Sequence, residues 1–345
     1  MKYIEKGFFM KPNTLIFKDS TTLITGGTGS FGRHLAALIL DSCESAKVVI
    51  YSRDEYKQYV MRQEFLSEVQ KGRLRFVIGD VRNIDRLMAA CQSVDYIFHA
   101  AALKQVPSCE ENIEEAILTN IIGAINVKRA AERCGVRKVV ALSTDKAVLP
   151  VNLYGATKMA SDKIFTDLAQ TANTICCIVR YGNVAFSRGS VIPYFLTIHN
   201  EGSHMYPVTD PQMTRFWITL SEAASLAVIA LCCSRGGETF VARIPSFSIV
   251  DLVTAIDPQA DIVVTGIRPG EKLHETMITQ YDAPKTVETD NCFIIYPTTE
   301  LAQKSGYPPV AGSFSYSSNT NDRWLKVNEI GARLKQGADS FRSGN

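Results

Sequence analysis

Short apolar runs alternate with amphipathic stretches through the first half of the chain. Apolar runs of about four to eight residues between turn residues are typical of buried parallel strands, and the amphipathic stretches have the period of helices. Strands are therefore predicted at TTLIT (21–25), KVVIYS (47–52), RLRFVIGD (73–80), YIFHAAA (96–102), KVVALST (138–144) and TICCIVRYGNV (174–184). The longest predicted helix covers residues 112–134.

Repeating strand and helix units predict an α/β fold with a Rossmann-type doubly wound parallel sheet, whose ligands bind at the carboxyl ends of its strands. After about residue 185 the pattern loosens into short elements joined by turns that contain glycine and proline. We expect an N-terminal extension (1–19), a nucleotide-binding Rossmann domain (20–185) and a smaller C-terminal lobe (186–345). That lobe is expected mainly to bind substrate, and some of its segments could form strands of the Rossmann sheet.

Composition narrows the function classes. The net charge of +2 and the pI near 8.0 give no electrostatic reason to expect nucleic acid or a membrane surface as partner. No run of 18 apolar residues occurs, which argues against a membrane span. The nine cysteines lack zinc-site spacing, so no metal site is predicted, and free thiols without a signal peptide favour the cytoplasm.

The stretch TTLITGGTGSFGRHL runs from the first strand into a helix and places Gly26, Gly29 and Gly32 in GxxGxxG spacing. Glycines permit a tight turn and the close approach of backbone to a pyrophosphate, which the amides of the following helix then bind. In this strand–turn–helix setting the motif predicts a dinucleotide cofactor.

The end of the second strand bears on which dinucleotide binds. An acidic residue at this tip suits the free ribose 2′-hydroxyl of NAD. Here Ser52 and Arg53 come first and Lys57 follows, which better suits the 2′-phosphate of NADP. The alternative is that Arg53 is a surface charge and that Asp54 binds the ribose.

Tyr154 and Lys158 are four residues apart and share one face of a predicted helix. A phenol with a pKa near 10 is a poor base at neutral pH, but a nearby ammonium favours the phenolate. We expect Tyr154 to take a proton from a reacting alcohol, which Thr144, at the end of the fifth strand, would hold in place. Tyr154, Lys158 and Thr144 therefore predict alcohol oxidation by a nicotinamide cofactor.

Asp145 and Lys146 lie side by side just before this helix and supply an acid and a base that alcohol oxidation alone does not require. They are either a second set of catalytic groups or a solvated loop pair.

The glycine turn, Thr144 and Tyr154-x-x-x-Lys158 resemble the extended short-chain dehydrogenase/reductase family. More narrowly, the chain resembles the inverting UDP-N-acetylglucosamine 4,6-dehydratases of pseudaminic acid biosynthesis over residues 20–325. The stretches that carry this resemblance are AALKQVPSCEEN, TDKAVLPVNLYGATK, RYGNV, MTRFWIT and RPGEKLHE. Gln105 departs from the pattern, since relatives commonly have histidine after the AALK lysine.

The resemblance implies that Tyr154 is the base for the carbon 4 hydroxyl, Lys146 the carbon 5 base and Asp145 the acid that protonates the leaving water. Desolvation would keep Lys146 neutral and Asp145 protonated, and the charge of Lys158 would further discourage a second ammonium. The expected substrate contacts are Lys104, Asn183, Arg215, Arg268 and Glu271. The expected contacts to NADP are Gly26, Thr28, Gly29, Ser30, Phe31, Gly32, Ser52, Arg53, Lys57, Asp80, Val81, Ala102, Tyr154, Lys158 and Val184.

Three other interpretations stay open from the sequence. A UDP-sugar 4-epimerase or a retaining 4,6-dehydratase would use the same scaffold, and a non-catalytic nucleotide-sensing protein would keep only the fold. Arg215, Arg268 and Glu271 are alternatively partners in salt bridges. Relatives form closed oligomers, so a homo-oligomer, either a dimer or a hexamer, is expected.

Overall fold

The computed structural model describes residues 13–168, 173–187 and 189–342. Most of the predicted N-terminal extension, residues 1–12, lies outside these described residues. The strands are β1 (Thr21–Thr25), β2 (Lys47–Ser52), β3 (Leu74–Ile78), β4 (Tyr96–His99), β5 (Lys138–Leu142), β6 (Ile175–Arg180), β7 (Asn183–Val184), β8 (Met205–Val208), β9 (Thr214–Ile218), β10 (Thr239–Ala242), β11 (Ser246–Ser248), β12 (Asp261–Val264), β13 (Thr276–Ile278), β14 (Thr286–Glu288), β15 (Cys292–Ile295) and β16 (Tyr316–Ser317).

The α-helices are α1 (Ser30–Ser42), α2 (Glu55–Glu64), α3 (Leu66–Gln70), α4 (Ile84–Ala90), α5 (Val106–Glu111), α6 (Ile113–Ile117), α7 (Gly123–Arg133), α8 (Leu153–Thr166), α9 (Val191–Asn200), α10 (Leu220–Cys233), α11 (Ile249–Ile256), α12 (Thr299–Lys304) and α13 (Val327–Arg342). Short 3₁₀ helices occur at Thr14–Phe17, Asp145–Ala147 and Ala283–Lys285, and a π-helix occurs at Leu118–Ile122. None of the helices in the described ranges is long and apolar enough to cross a membrane.

Nine strands form one large sheet in the order β14-β15-β10-β6-β5-β4-β1-β2-β3. Strands from β3 to β10 run parallel to their neighbours, whereas β15 is antiparallel to both β10 and β14. The chain order reverses direction between β1 and β4, which opens a crevice at the carboxyl ends of these strands. The predicted Rossmann-type doubly wound sheet is confirmed.

The continuous apolar strands arise because both faces of the sheet are covered by helices. Ile24 packs on one face in a buried cluster with Leu35 of α1, while Leu23 packs on the other face in a cluster with Val127 of α7. Phe17 is fully buried and its ring meets Tyr96 edge-on at 6.4 Å. The described part of the N-terminal extension therefore packs on the sheet.

The long helix predicted over 112–134 is interrupted in the structure. The chain forms α6, then the π-helix Leu118–Ile122, then α7. A π-helical segment adds a residue to one turn and commonly marks a functional position. Here it turns Asn120 inward, where the side chain is buried.

After β6 the chain builds a smaller unit around a second apolar core that contains Trp217, Phe195 and Phe247. Its strands form the sheet β11-β9-β7 and the pairs β12-β8 and β13-β16. Strands β10, β14 and β15 lie instead in the large sheet, as the sequence allowed. This arrangement brings the loop before β13 against the tip of β5.

Candidate active site

The turn between β1 and α1 forms a cradle that side chains would fill. Gly26 has φ +65°, and a Cβ there would lie 2.8 Å from the backbone nitrogen of Ala101. A Cβ on Gly32 would lie 2.5 Å from the Cα of Gly27. Gly29 is the N-cap of α1 and provides no side-chain cap, so the first amides of the helix face the turn. The cradle fits a dinucleotide pyrophosphate.

The other residues predicted to contact the cofactor come from this turn and from the chain after β3, after β4 and in β7. Thr28 is buried, Ser30 is exposed, and Phe31 stacks on the ring of Tyr181 at 6.5 Å. Val81 is buried beside the π-helix region, while Ala102 and Val184 are half-buried.

At the tip of β2 the two acidic groups are already bound to basic groups. Asp54 caps α2 by accepting from the backbone nitrogen of Lys57, and its carboxylate lies 2.8 Å from Lys57 Nζ. Arg53 is half exposed, with its guanidinium 3.7 Å from Asp80. Ser52 is buried and accepts a hydrogen bond from Gln58. Two exposed cations, Arg53 and Lys57, therefore lie at this tip, and the carboxylate of Asp54 is engaged with Lys57.

The tip of β5 carries the acid and base predicted from the sequence. Asp145 is fully buried on the 3₁₀ turn Asp145–Ala147, and its Oδ1 lies 3.1 Å from Lys146 Nζ. Thr144 caps this turn and its hydroxyl donates to the same Oδ1 at 2.9 Å. The second oxygen, Oδ2, has no hydrogen-bond partner among the described residues. Burial raises the pKa of Asp145, which favours its acid form.

Helix α8 brings Tyr154 and Lys158 to the same place. Both side chains are buried. Burial raises the pKa of Tyr154 to about 12, although Lys146 and a hydrogen bond with Thr144 oppose the rise. Burial lowers the pKa of Lys158, against the opposing charge of Asp162. In the protein alone, the sequence-based expectation of a lowered phenol pKa is therefore wrong, because desolvation outweighs the neighbouring charges.

Glu275, which sequence reasoning missed, completes this cluster from the loop before β13. It is 3% exposed, and its Oε1 lies 3.3 Å from Lys146 Nζ and 4.0 Å from Arg215 Nε. Glu275 is the last residue of the RPGEKLHE stretch, which the sequence analysis identified. Its contact with Lys146 could not be read from the sequence.

The expected neutral state of Lys146 is wrong for the free protein. Burial disfavours its ammonium, but the carboxylates of Asp145 and Glu275 together outweigh burial and raise the pKa of Lys146. From the sequence, the positive charge of Lys158 was expected to lower the pKa of Lys146. The structure instead places two carboxylates beside Lys146, and they raise its pKa.

Two close approaches fix the cluster. A Cβ on Gly155 would lie 2.2 Å from the carbonyl oxygen of Lys146, so α8 is seated directly on the 3₁₀ turn. Asn152, the N-cap of α8, donates to the carbonyl of Gly270 at 2.7 Å. The RPGEK turn of the C-terminal lobe is thereby attached to the start of the helix.

The predicted substrate contacts are distributed around this cluster. Arg215 is mostly buried, and its guanidinium donates to the carbonyls of Thr214 and Leu273. Arg268 is exposed, and its backbone nitrogen donates to the carboxylate of Glu271 at 3.3 Å. The positions that remain are the exposed Lys104 and the half-buried Asn183, whose Oδ1 has no hydrogen-bond partner within the described ranges.

Two further side chains near the site make contacts that the sequence analysis did not predict. Asn120 clamps the loop after β4, accepting from the nitrogen of Leu103 at 2.8 Å and donating to its carbonyl at 2.9 Å, and it also donates to Thr157 of α8. Gln105, the departure noted in the sequence, lies against the loop after β7, where a Cβ on Gly189 would be 2.7 Å from its Nε2.

Comparison with known proteins places this geometry among sugar-modifying enzymes. The sequence family described as polysaccharide biosynthesis protein matches residues 22–297. The chain is 44% identical over 328 residues to the UDP-N-acetylglucosamine 4,6-dehydratase (inverting) of Campylobacter jejuni, covering 91% of this chain and 97% of that protein. It is 41% identical over 290 residues to a UDP-glucose 4-epimerase of Rickettsia canadensis, covering 81% of this chain and 84% of the other.

Solved structures give the same fold. The X-ray structure of Pen from Bacillus thuringiensis superposes with a TM-score of 0.83 at 35% identity, covering 93% of this chain and 99% of that one. DesIV, a dTDP-glucose 4,6-dehydratase from Streptomyces venezuelae with NAD bound, has a TM-score of 0.69 at 20% identity, covering 92% and 97%. The likeness to DesIV concerns the fold alone.

Proposed function

The chain belongs to the polysaccharide biosynthesis protein family, in the extended short-chain dehydrogenase/reductases, and from that premise we propose that it is a UDP-N-acetylglucosamine 4,6-dehydratase that inverts carbon 5. The product is a UDP-2-acetamido-2,6-dideoxy-4-hexulose. The observation that carries the proposal is the Asp145–Lys146 pair, 3.1 Å apart and seated against the helix that holds Tyr154. An alcohol dehydrogenase or an epimerase does not require this second acid and base.

In the oxidation half-reaction, Tyr154 takes the proton of the carbon 4 hydroxyl, and Thr144 orients that hydroxyl. A nicotinamide cofactor held at the cradle of Gly26, Gly29 and Gly32 would supply the hydride chemistry between carbons 4 and 6. The ammonium of Lys158 lies on the same helix face as Tyr154 and stabilises the phenolate. Burial raises the pKa of Tyr154 to about 12 in the protein alone, so the phenolate requires the further positive charge that a bound nicotinamide ring would supply.

In the dehydration half-reaction, Lys146 takes the proton of carbon 5 and Asp145 gives a proton to the carbon 6 hydroxyl, which leaves as water. The carbon 4 ketone makes the carbon 5 proton acidic enough for an amine base. Carbon 5 then takes a proton on its opposite face. The overall proton count is unchanged, because Tyr154 and Lys146 each gain one proton while Asp145 and the reprotonation of carbon 5 each use one. Arg215, Arg268 and Glu271 are proposed to hold the nucleotide, the arginines at the diphosphate and the glutamate at the ribose.

One experiment tests this function. The purified protein is incubated with UDP-N-acetylglucosamine in heavy water, and the sugar is followed by NMR. We expect a 4-keto-6-deoxy sugar with deuterium and inverted geometry at carbon 5. Formation of the galacto epimer alone would identify a 4-epimerase, and retained geometry at carbon 5 would identify a retaining dehydratase. No turnover with cofactor bound would contradict both catalytic assignments.

NADP is proposed as the cofactor because the exposed cations Arg53 and Lys57 lie at the β2 tip, while the carboxylate of Asp54 is engaged with Lys57. Arg53→Ser should weaken binding of NADP about tenfold or more and leave NAD binding nearly unchanged, since NAD has no 2′-phosphate for the guanidinium to bind. Binding is measured by fluorescence titration. Arg75→Ser, at an exposed position of β3, is the matched control and should alter neither affinity. Equal losses for both cofactors would contradict the assignment.

The free thiols suit a reducing cytoplasm, which we propose as the location. A homo-oligomer, a dimer or a hexamer, remains a prediction from the resemblance.

A further inference from the structure

A buried carboxylate lies opposite Asp145 across Lys146. The carboxylate of Glu275 lies 3.3 Å from Lys146 Nζ. The backbone nitrogen of Glu275 donates to Ser318 Oγ at 2.9 Å, which anchors the residue on its loop. Its second oxygen, Oε2, is buried and has no hydrogen-bond partner among the described residues. Burying a carboxylate oxygen without a hydrogen bond costs free energy even when the other oxygen is paired, so this position needs a reason beyond packing.

We propose that Glu275 is a positioning residue for the dehydration half-reaction, holding Lys146 Nζ beside Asp145 so that one proton is shared between these two groups. The inference rests on the proposed function and adds a third member to its acid–base set. Glu275 does not touch the reacting carbons in this assignment. It acts through Lys146.

The arrangement explains how an ammonium can become a base. Lys146 gives a proton to Asp145 Oδ1, so that an N–H bond breaks and an O–H bond forms over 3.1 Å. The pair then consists of a neutral amine and a carboxylic acid, which is the working set for removing the carbon 5 proton and releasing water. After elimination, Lys146 again carries the extra proton and Asp145 is again ionised. No proton from solvent is needed to reset the pair.

Glu275 stays ionised while Asp145 takes the proton, because the two acids have different neighbours. Burial raises the pKa of Glu275, but Lys146, Arg215 and Lys272 outweigh burial and lower it. Burial dominates at Asp145 and raises its pKa. Of the two carboxylates beside Lys146, Asp145 is therefore the proton acceptor.

The charged and titratable groups that face Lys146 come from every element around it. Asp145 lies on the same 3₁₀ turn, Tyr154 on α8, Arg215 on β9, and Glu275 and Lys272 on the loop before β13. Glu275 is the one carboxylate of this set that comes from outside the Asp145–Lys146 turn. Its removal should therefore change the protonation of the pair while leaving the pair itself in place.

The test compares Glu275→Gln with Glu275→Asp. The pair is active when it holds one proton, so kcat/KM for formation of the 4-keto-6-deoxy product should be bell-shaped in pH. Removing a nearby negative charge weakens proton binding, so Glu275→Gln should move both limbs to lower pH by about one unit. Glu275→Asp keeps the charge on a shorter side chain. Its limbs should stay near the wild-type positions while kcat falls.

Glu44→Gln, at an exposed position, is the control for a lost surface carboxylate and should leave the profile unchanged. A lower rate with unmoved limbs in Glu275→Gln would reduce Glu275 to a structural role and overturn the proposal. Cofactor binding and the melting temperature of each variant identify a folding defect.

A second readout does not depend on activity. In protein labelled with carbon-13 at the lysine Cε, the Lys146 signal is assigned by its absence in Lys146→Met. We expect this signal to titrate at lower pH in Glu275→Gln than in the wild type, and an unchanged titration would overturn the proposal. If the wild type makes no 4-keto-6-deoxy product, the proposed function fails, yet this titration still decides whether the charge of Glu275 raises the pKa of Lys146.

Discussion

Asp145 and Lys146 are adjacent in the chain, and this adjacency made them visible from sequence. A single 3₁₀ turn holds both groups, so their pairing needs no distant partner. Glu275 could not be assigned in the same way, because its contact with Lys146 depends on how the C-terminal lobe returns to the tip of β5. The local pair was predictable, whereas the charge balance that sets its protonation was not.

Asp145→Asn should separate the two half-reactions. Asparagine has nearly the same shape but gives no acid to the leaving hydroxyl, so product formation should fall about 10²- to 10⁴-fold. Oxidation at carbon 4 should persist and be visible as reduced nicotinamide absorbance in a single turnover. Product formation at the wild-type rate would show that the leaving water takes its proton elsewhere.

Lys146→Met should abolish dehydration and leave NADP binding intact, since Lys146 lies away from the glycine cradle. Methionine also leaves the buried carboxylate of Asp145 without its cation, so the free energy of unfolding should fall by about 3 kcal/mol. Denaturant unfolding and cofactor titration measure the two effects. Loss of cofactor binding in folded protein would mean that Lys146 serves the nucleotide instead.

At the scale of elements, the seating of α8 on the 3₁₀ turn determines the distance between the two half-sites. Gly155 permits this contact, since any Cβ would lie 2.2 Å from the carbonyl oxygen of Lys146. The sequence located the helix and its YxxxK face correctly. It did not indicate that glycine in YGATK is required by a backbone contact with the preceding turn.

Gly155→Ala should push the turn away from the helix. We expect a loss of stability of about 1–3 kcal/mol and a larger loss of dehydration than of cofactor binding. Gly331→Ala in α13 is the matched control, because a Cβ there meets nothing within 4 Å. Thermal unfolding and product formation are compared in both variants, and equal behaviour would contradict the close contact.

The π-helix shows where helix prediction from sequence stops. The apolar period indicated one helix over 112–134, and helices do occupy most of that range. The interruption at Leu118–Ile122 accompanies contacts of Asn120 with Leu103 and Thr157, which belong to other elements. Contacts of this kind leave no trace in the hydrophobic period.

At the scale of the whole molecule, the alternation of strands and helices was enough to predict the doubly wound sheet. The pattern did not predict that β15 would pair with β10 in antiparallel orientation, because a short apolar strand does not specify its neighbour. One buried cluster contains Ile24, Phe240 and Ile294 together. The large core is therefore built from both ends of the chain.

His99 makes the stability of the whole fold depend on pH. The ring is buried against Thr25, and burial lowers its pKa to about 3. The unfolded chain binds a proton near pH 6.5 while the native state does not, so stability is full above that pH and falls as pH decreases toward 3. Between pH 7 and pH 5 the loss should be about 2 kcal/mol.

Urea unfolding at both pH values measures this loss. His99→Gln cannot titrate and should show a pH dependence that is smaller by about the same amount. An identical dependence in the two proteins would mean that His99 is not the group responsible.

The two carboxylates around Lys146 also govern how the protein meets amine-reactive electrophiles. A free amine attacks an acylating reagent through its lone pair, and the carboxylates of Asp145 and Glu275 favour the protonated form of Lys146, which has none. Covalent labelling should therefore modify the exposed Lys104 faster than Lys146. A selective inhibitor for this site should therefore not depend on acylation of Lys146.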